Sequence, residues 1–180
     1  MAEAARIQPL EERVFGGNGV TLTPLDALER VSLRAEEKAI AGLGKSIGIT
    51  LPTKPGKTVT KSGVSALWIG PDEWLVIAPQ GSDLENKLNK TKSGLYSVVS
   101  VDHRNTGFTV SGSKAVLALN SGNARDLSLD AFPVGNCSRT QMGKAEIVLW
   151  RLEENTFHVE CWRSFSDYVW KFLVDAARTA

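Results

Sequence analysis

Cysteine, histidine and methionine are scarce in this sequence, with two of each in 180 residues. Cys137 and Cys161 stand far apart, and neither belongs to a Cys-x-x-Cys or Cys/His group of the kind that holds zinc. No metal site is expected, only two buried, reduced thiols. An excess of one charge is also missing. The 21 Lys and Arg residues against 20 Asp and Glu give a net charge of +1, too little to attract a nucleic acid backbone or an anionic membrane surface. No apolar run approaches the roughly 20 residues needed to span a bilayer, so neither nucleic acid nor membrane is an expected partner. Met1 to Arg13, with acids at Glu3, Glu11 and Glu12, lacks the apolar stretch of a secretory signal, and a cytoplasmic protein is expected. No Gly-x-Gly-x-x-Gly opens a strand-to-helix unit, which predicts a colourless chain that binds no flavin.

What is present is an ordinary globular composition, 42% apolar and 23% charged, at a length suited to one compact domain or two fused halves. Residues 1–18 read as an arm that closes on Gly16-Gly17-Asn18-Gly19, a sequence suited to a turn. Two α+β halves follow, 19–101 and 102–180, forming one compact unit. In the first, a strand over Glu29–Ala35 leads to a helix over Glu36–Ile47, whose Ala39, Ile40, Leu43 and Ile47 recur at helical spacing. Pro52 to Ser62 reads as an exposed connection. Val64–Ile69 and Trp74–Ala78 form a hairpin around Gly70-Pro71-Asp72-Glu73. Ser82 and Glu85 suggest a capping box for a helix that runs to about Lys92, and Leu95–Val101 is a further strand.

The second half reads as a strand at Thr106–Ser111, a helix at Lys114–Asn120, a loop through Pro133, and extended segments at Cys137–Met142, Ala145–Leu152 and Thr156–Cys161. A helix over Ser164–Arg178 closes it, its apolar stripe set by Phe165, Tyr168, Val169, Phe172, Leu173 and Ala176. The element order of the first half thus recurs. Lys38-Ala39-Ile40-Ala41 is echoed by Lys114-Ala115-Val116-Leu117, and Leu67-Trp68 by Leu149-Trp150, each pair on the first strand of a hairpin that precedes a helix. Two β-α-β-β-α units with antiparallel-rich sheets define an α+β fold.

The sequence offers little catalytic chemistry. Gly44-Lys45-Ser46-Ile47-Gly48 fits the Gly-x-Ser-x-Gly pattern, but a helical pattern precedes it where a nucleophile elbow needs a strand, so a helix end is expected. Asp102-His103-Arg104 is a cluster able to move a proton, yet neighbours on a strand point to opposite faces. It reads as a surface or interface cluster, with His158 a strand histidine. Trp74-Leu75-Val76-Ile77-Ala78 is apolar on both faces and needs cover on both, which a partner protein could supply. No catalytic, cofactor-binding or metal-binding residue is assigned. Trp74, Asp102, His103 and Arg104 are the candidates for a subunit interface.

The run from Ser100 to Gly112, Leu119-Asn120-Ser121-Gly122, Trp68 to Leu75, Cys137-Ser138-Arg139-Thr140 and Phe165 to Trp170 together resemble the gamma subunits of heterotetrameric sarcosine oxidases, over about residues 25 to 178. More distantly, Phe108 to Gly112 and the later hairpin are similar to the folate-binding aminomethyltransferases of glycine cleavage. The resemblance implies that fold and a non-catalytic subunit partnered by alpha, beta and delta chains. The complex would demethylate sarcosine oxidatively to glycine and pass the one-carbon unit to tetrahydrofolate. The implied FAD, FMN, NAD and zinc sit in other subunits. The catalytic relatives place an acidic pair after a glycine. In Gly143-Lys144-Ala145-Glu146-Ile147 only Glu146 matches, beside an apolar neighbour. The alternative reading is a stand-alone folate-binding protein of the aminomethyltransferase type.

Overall fold

The computed structural model describes residues 8–92 and 94–180. Its chain order is β1 (Phe15–Gly17), β2 (Val20–Pro24), β3 (Leu28–Ala35), α1 (Glu37–Ser46), β4 (Thr58–Lys61), β5 (Val64–Gly70), β6 (Glu73–Pro79), α2 (Leu84–Asn89), β7 (Tyr96–Ser100), β8 (Asn105–Ser111) and α3 (Ala115–Asn120). It continues with β9 (Cys137–Met142), β10 (Ala145–Glu153), β11 (Thr156–Trp162), one 3-10 turn (Arg163–Phe165) and α4 (Ser166–Thr179). The strands form a five-stranded sheet, β4-β5-β6-β3-β7, and a six-stranded sheet, β1-β2-β8-β11-β10-β9. Every pairing within them is antiparallel. This is the α+β fold expected from the element order.

Period-2 alternation decides which side chains go to which layer. In the first half Val31, Leu33, Ala66, Trp74 and Val76 turn to one face and pack under Ala39 and Leu43 of α1 and Leu84 and Leu88 of α2. In the second, Phe108, Val110, Ile147, Leu149, Phe157 and Val159 lie under Ala115 and Leu119 of α3 and Val169 and Leu173 of α4. The opposite faces meet in a smaller core, where Leu67, Leu75 and Ile77 contact Val101, Cys137 and Val148. The layers therefore run helix, sheet, sheet, helix. The second cover that Trp74 to Ala78 requires is the chain's other sheet.

Listing the sheets from one edge aligns β4 with β9, β5 with β10, β6 with β11, β3 with β8, and β7 with β2. The last match crosses the expected boundary between residues 101 and 102, since β2 falls within 19–101 but lies in the sheet of the second half. The position beside β8 is taken by β2, from ahead of the first half's helices. The N-terminal arm also contributes β1, joined to β2 by a turn in which Asn18 and Gly19 both have positive φ, the conformation two-residue hairpins favour. The tryptophan echo lies on equivalent strands but is one residue out of register. Irregularities between Trp68 and Gly70, and between Arg151 and Glu153, align Trp68 with Arg151. Trp68 accordingly packs under the helices and Trp150 between the sheets.

Three local expectations are corrected. The connection through Pro52–Ser62 contains the edge strand β4. Ser82 does not cap α2: its hydroxyl bonds back to the Pro79 carbonyl, and the Glu29 carboxylate on β3 accepts from the amides of Asp83 and Leu84 at 3.0 and 2.8 Å. Asp102 to Arg104 form a turn closed by the Arg104 amide on the Val101 carbonyl, so strand alternation does not apply to them. The Gly44–Gly48 motif is the end of α1, as expected, with Gly48 at φ 78°.

The candidate functional site at the seam between the sheets

Polar residues on the inward faces of β3 and β11 look solvated in sequence, but the sheet-on-sheet packing buries them. Arg30 of β3 donates from Nε to Glu160 Oε2 of β11 at 2.7 Å, and the other carboxylate oxygen, Oε1, lies 2.7 Å from Nε2 of His158. The Arg30 and Glu160 side chains are 2% and 0% exposed. Trp150 covers the imidazole with its ring centroid 5.6 Å away. Gly107 of β8 makes the room: a Cβ there would lie 2.5 Å from Glu160 Oε1 and 3.1 Å from both Arg30 Nη2 and His158 Nε2.

Burial alone would push the Glu160 carboxyl up. The bond and charge of His158 and the charge and bond of Arg30 outweigh it and hold the group below its ordinary value. The carboxylate is thus spent on joining the halves. Beside it opens a cavity of about 170 Å³ whose walls include Arg104, Asn105, Glu146, Glu160 and Trp162. The Glu73–Arg139 ion pair, 3.0 Å, crosses between the sheets at the same place.

The sequence candidates do not converge as a set. Trp74 is a core side chain, fully buried, with its indole N–H donating to the Pro52 carbonyl at 2.7 Å. It offers no surface to a partner, because β6 is a central strand covered on both faces. Asp102 accepts from the Arg30 amide and so ties the junction turn to β3. His103 and Arg104 are exposed. The Arg104 guanidinium stacks 5.3 Å from the Trp162 ring centroid and its Nε donates to Asn105 Oδ1 at 3.1 Å. Trp162 and Phe165 are each 41% exposed, with their rings 6.3 Å apart. Glu146 is exposed, while Ile147 turns inward beneath the helices.

Sequence reasoning missed Arg30 and Glu160, and treated His158 as isolated. The available signal was Gly107, a glycine inside a strand, which marks close approach by another group. Arg151 was missed as well. It is buried, stacks 4.7 Å from the Phe157 ring, and donates to the carbonyls of Leu127 (2.9 Å), Ser128 (3.3 Å) and Phe132, so it organises the long loop before β9. Both thiols are buried and free, and burial pushes each up to about 12.

The two-half arrangement matches an aminomethyltransferase of the glycine cleavage system, component T, from Bartonella henselae, with a TM-score of 0.66 over 89% of this chain and 46% of that one. At 11% identity this is a likeness of fold. The family model described as "Sarcosine oxidase, gamma subunit family" matches residues 34–179, and the chain belongs to that family. A sarcosine oxidase subunit gamma from Arthrobacter sp. is 31% identical over 76% of this chain and 68% of its own length. One from Corynebacterium sp. strain P-1 is 30% identical over the same shares. A chain of the heterotetrameric sarcosine oxidase from Corynebacterium sp. U-96, solved in complex with pyrrole 2-carboxylate, aligns at TM-score 0.89 and 25% identity over 97% of this chain and 95% of that one.

Proposed function

We propose that the chain is the gamma subunit of a heterotetrameric sarcosine oxidase and acts there in assembly, contributing no catalytic group of its own. In this reading its partners are alpha, beta and delta subunits, which hold FAD, FMN, NAD and zinc. The cytoplasmic complex demethylates sarcosine oxidatively to glycine, with tetrahydrofolate receiving the one-carbon unit. The observation that carries the assembly role is the near full-length match to a chain of a heterotetrameric relative. The absence of a catalytic role is supported by the seam: the buried carboxylate bonds both the His158 imidazole and the Arg30 guanidinium, and all three are packed against Gly107. Fold and chemistry separate readily in this way.

Arg104 is the residue on which the proposal is tested. An exposed arginine stacked on a partly exposed tryptophan, with Phe165 beside it, has the composition of an interface hot spot. Truncating such a residue costs on the order of 2 kcal/mol, about thirtyfold in affinity. Co-expression of Arg104→Ala with the other subunits is expected to yield less complex with normal turnover per assembled complex. Full assembly with depressed turnover would instead give Arg104 a catalytic role, and failure of the wild-type chain to co-purify with those subunits would remove the assembly reading.

A further inference from the structure

The two sheets are built alike but finish differently at one edge. In the six-stranded sheet β2 lies beside β8, and β1 covers its outer side, with Phe15 opposite Leu22 and Gly17 opposite Val20. In the five-stranded sheet the matching strand is β7, beside β3, and no described strand lies outside it. The registers fix the equivalence. Leu22 faces Val110 and Val98 faces Leu33, while Val110 and Leu33 in turn face Phe157 and Trp74 at matching positions of β11 and β6. Tyr96, Val98 and Ser100 therefore occupy the places of Val20, Leu22 and Pro24.

The backbone at this edge is oriented for pairing. The Val101 amide donates to the Arg30 carbonyl at 2.8 Å and the Glu36 amide to the Leu95 carbonyl at 3.0 Å. Because antiparallel pairing alternates along the strand, Tyr96, Val98 and Ser100 direct their N–H and C=O groups away from β3. Free edges usually carry lysine, proline or another device against pairing. Among the other edges here, β4 ends on Lys61, β9 carries Arg139, and β1 is three residues long. By contrast β7 reads Tyr-Ser-Val-Val-Ser without a charge, Val99 is 52% exposed, and the preceding Leu95 is 77% exposed.

We propose that the β7 edge receives an extended segment of another subunit of the complex as an antiparallel sixth strand, as β1 completes the other sheet. The inference rests on the assembly reading above, and that setting favours a different subunit over a second copy of this chain. The segment it fits is uncharged, with apolar side chains at the alternate positions that face Val99. Main-chain bonds to Tyr96, Val98 and Ser100 supply the attachment and the side chains supply the selectivity.

Residue-resolved hydrogen exchange on the full chain, alone and in the co-expressed complex, tests this. The amides of Tyr96, Val98 and Ser100 are expected to exchange freely in the chain alone and at least about tenfold more slowly in the complex. Ser100→Pro removes one outward N–H at the position Pro24 holds in the other sheet, so the fold accommodates it. It is expected to weaken assembly by about tenfold with an unchanged melting transition. Val99→Lys, which places a charge on the edge, is expected to act in the same direction. Unprotected amides in an assembled complex, or wild-type assembly by both variants, would overturn the edge inference and leave the assembly reading standing. Protection that rises with concentration in the isolated chain would make a second copy the occupant and overturn it too. A wild-type chain that does not co-purify would defeat both readings.

Discussion

Replacing Glu160 by alanine removes the counter-charge of a guanidinium that is 2% exposed and sits between two packed sheets. Among the described residues, the guanidinium then keeps the bond that its Nη1 donates to the Leu28 carbonyl at 3.2 Å. Breaking a buried ion pair from one side typically costs about 3–5 kcal/mol, because the surviving charge keeps its desolvation penalty. Against a total stability of about 5–15 kcal/mol for a domain, that is a large share. At about 2–4 °C per kcal/mol for a chain of this size, the melting temperature should fall by roughly 6–20 °C. Thermal and urea unfolding followed by circular dichroism measure it. The pair is expected to be replaceable as a unit: Arg30→Met with Glu160→Met should be more stable than Glu160→Ala, since neither charge is then stranded. A Glu160→Ala variant within about 1 kcal/mol of wild type would refute the view of the seam as a buried charged clasp. So would a double variant as unstable as the single one.

Three further outcomes are expected. Because the folded-state carboxyl of Glu160 lies below the ordinary value of 4.5, its contribution is complete above that pH and is lost as pH falls through the depressed value. Urea midpoints measured from neutral pH downward should show this extra acid sensitivity in wild type and lack it in Glu160→Gln. Cys137 and Cys161, buried and protonated, should react with alkylating reagents at pH 8 only as the chain unfolds, so labelling should be slow in buffer and complete in denaturant. Gly112→Ala should destabilise well beyond Gly81→Ala, with both read from urea midpoints. Both glycines have positive φ, but a Cβ at Gly112 meets the Gly19 carbonyl oxygen at 2.2 Å, whereas at Gly81 it meets nothing within 4 Å. The Gly81 change therefore costs only about 1 kcal/mol of backbone strain.

Periodicity carried most of the fold. The stripe from Phe165 to Ala176 and the short apolar runs of β5 and β6 around Gly70-Pro71-Asp72-Glu73 are local signals, legible without knowing the neighbours. What escaped depends on distant parts of the chain. Strand β4 is a short edge of Thr, Val and Lys that looks like a linker until Leu67 and Ala66 lie beside it. The cap of α2 comes from Glu29, which no pattern around Ser82 could indicate. Arg30, His158 and Glu160 stand at alternating polar positions, the usual mark of a solvated strand face. They become a buried cluster only because a second sheet covers that face, and sequence gives the alternation without saying what covers it. Trp74 was misassigned for the converse reason, its two-sided cover being supplied within the chain.

The same long-range closure explains why the repeat is imperfect and why the halves cannot be separated at residue 101. The first half is complete in itself from β3 to β7, but the second borrows β2 from ahead of the first. The ends are then tied together: Lys114 Nζ donates to Asn18 Oδ1 at 3.1 Å and to the Ala180 carbonyl at 2.8 Å, and Asn18 Nδ2 donates to the Ala177 carbonyl at 3.2 Å. This closes the second sheet with strands of the chain itself and leaves the first sheet ending on bare β7. With the seam filled by the Arg30–Glu160–His158 cluster, the surfaces left for intermolecular work are peripheral. Among them, in the described residues, are the β7 edge and the exposed Arg104–Trp162–Phe165 patch. An architecture whose centre is occupied by its own ions and whose periphery carries the unsatisfied strand and stacked aromatics is suited to holding other chains in place.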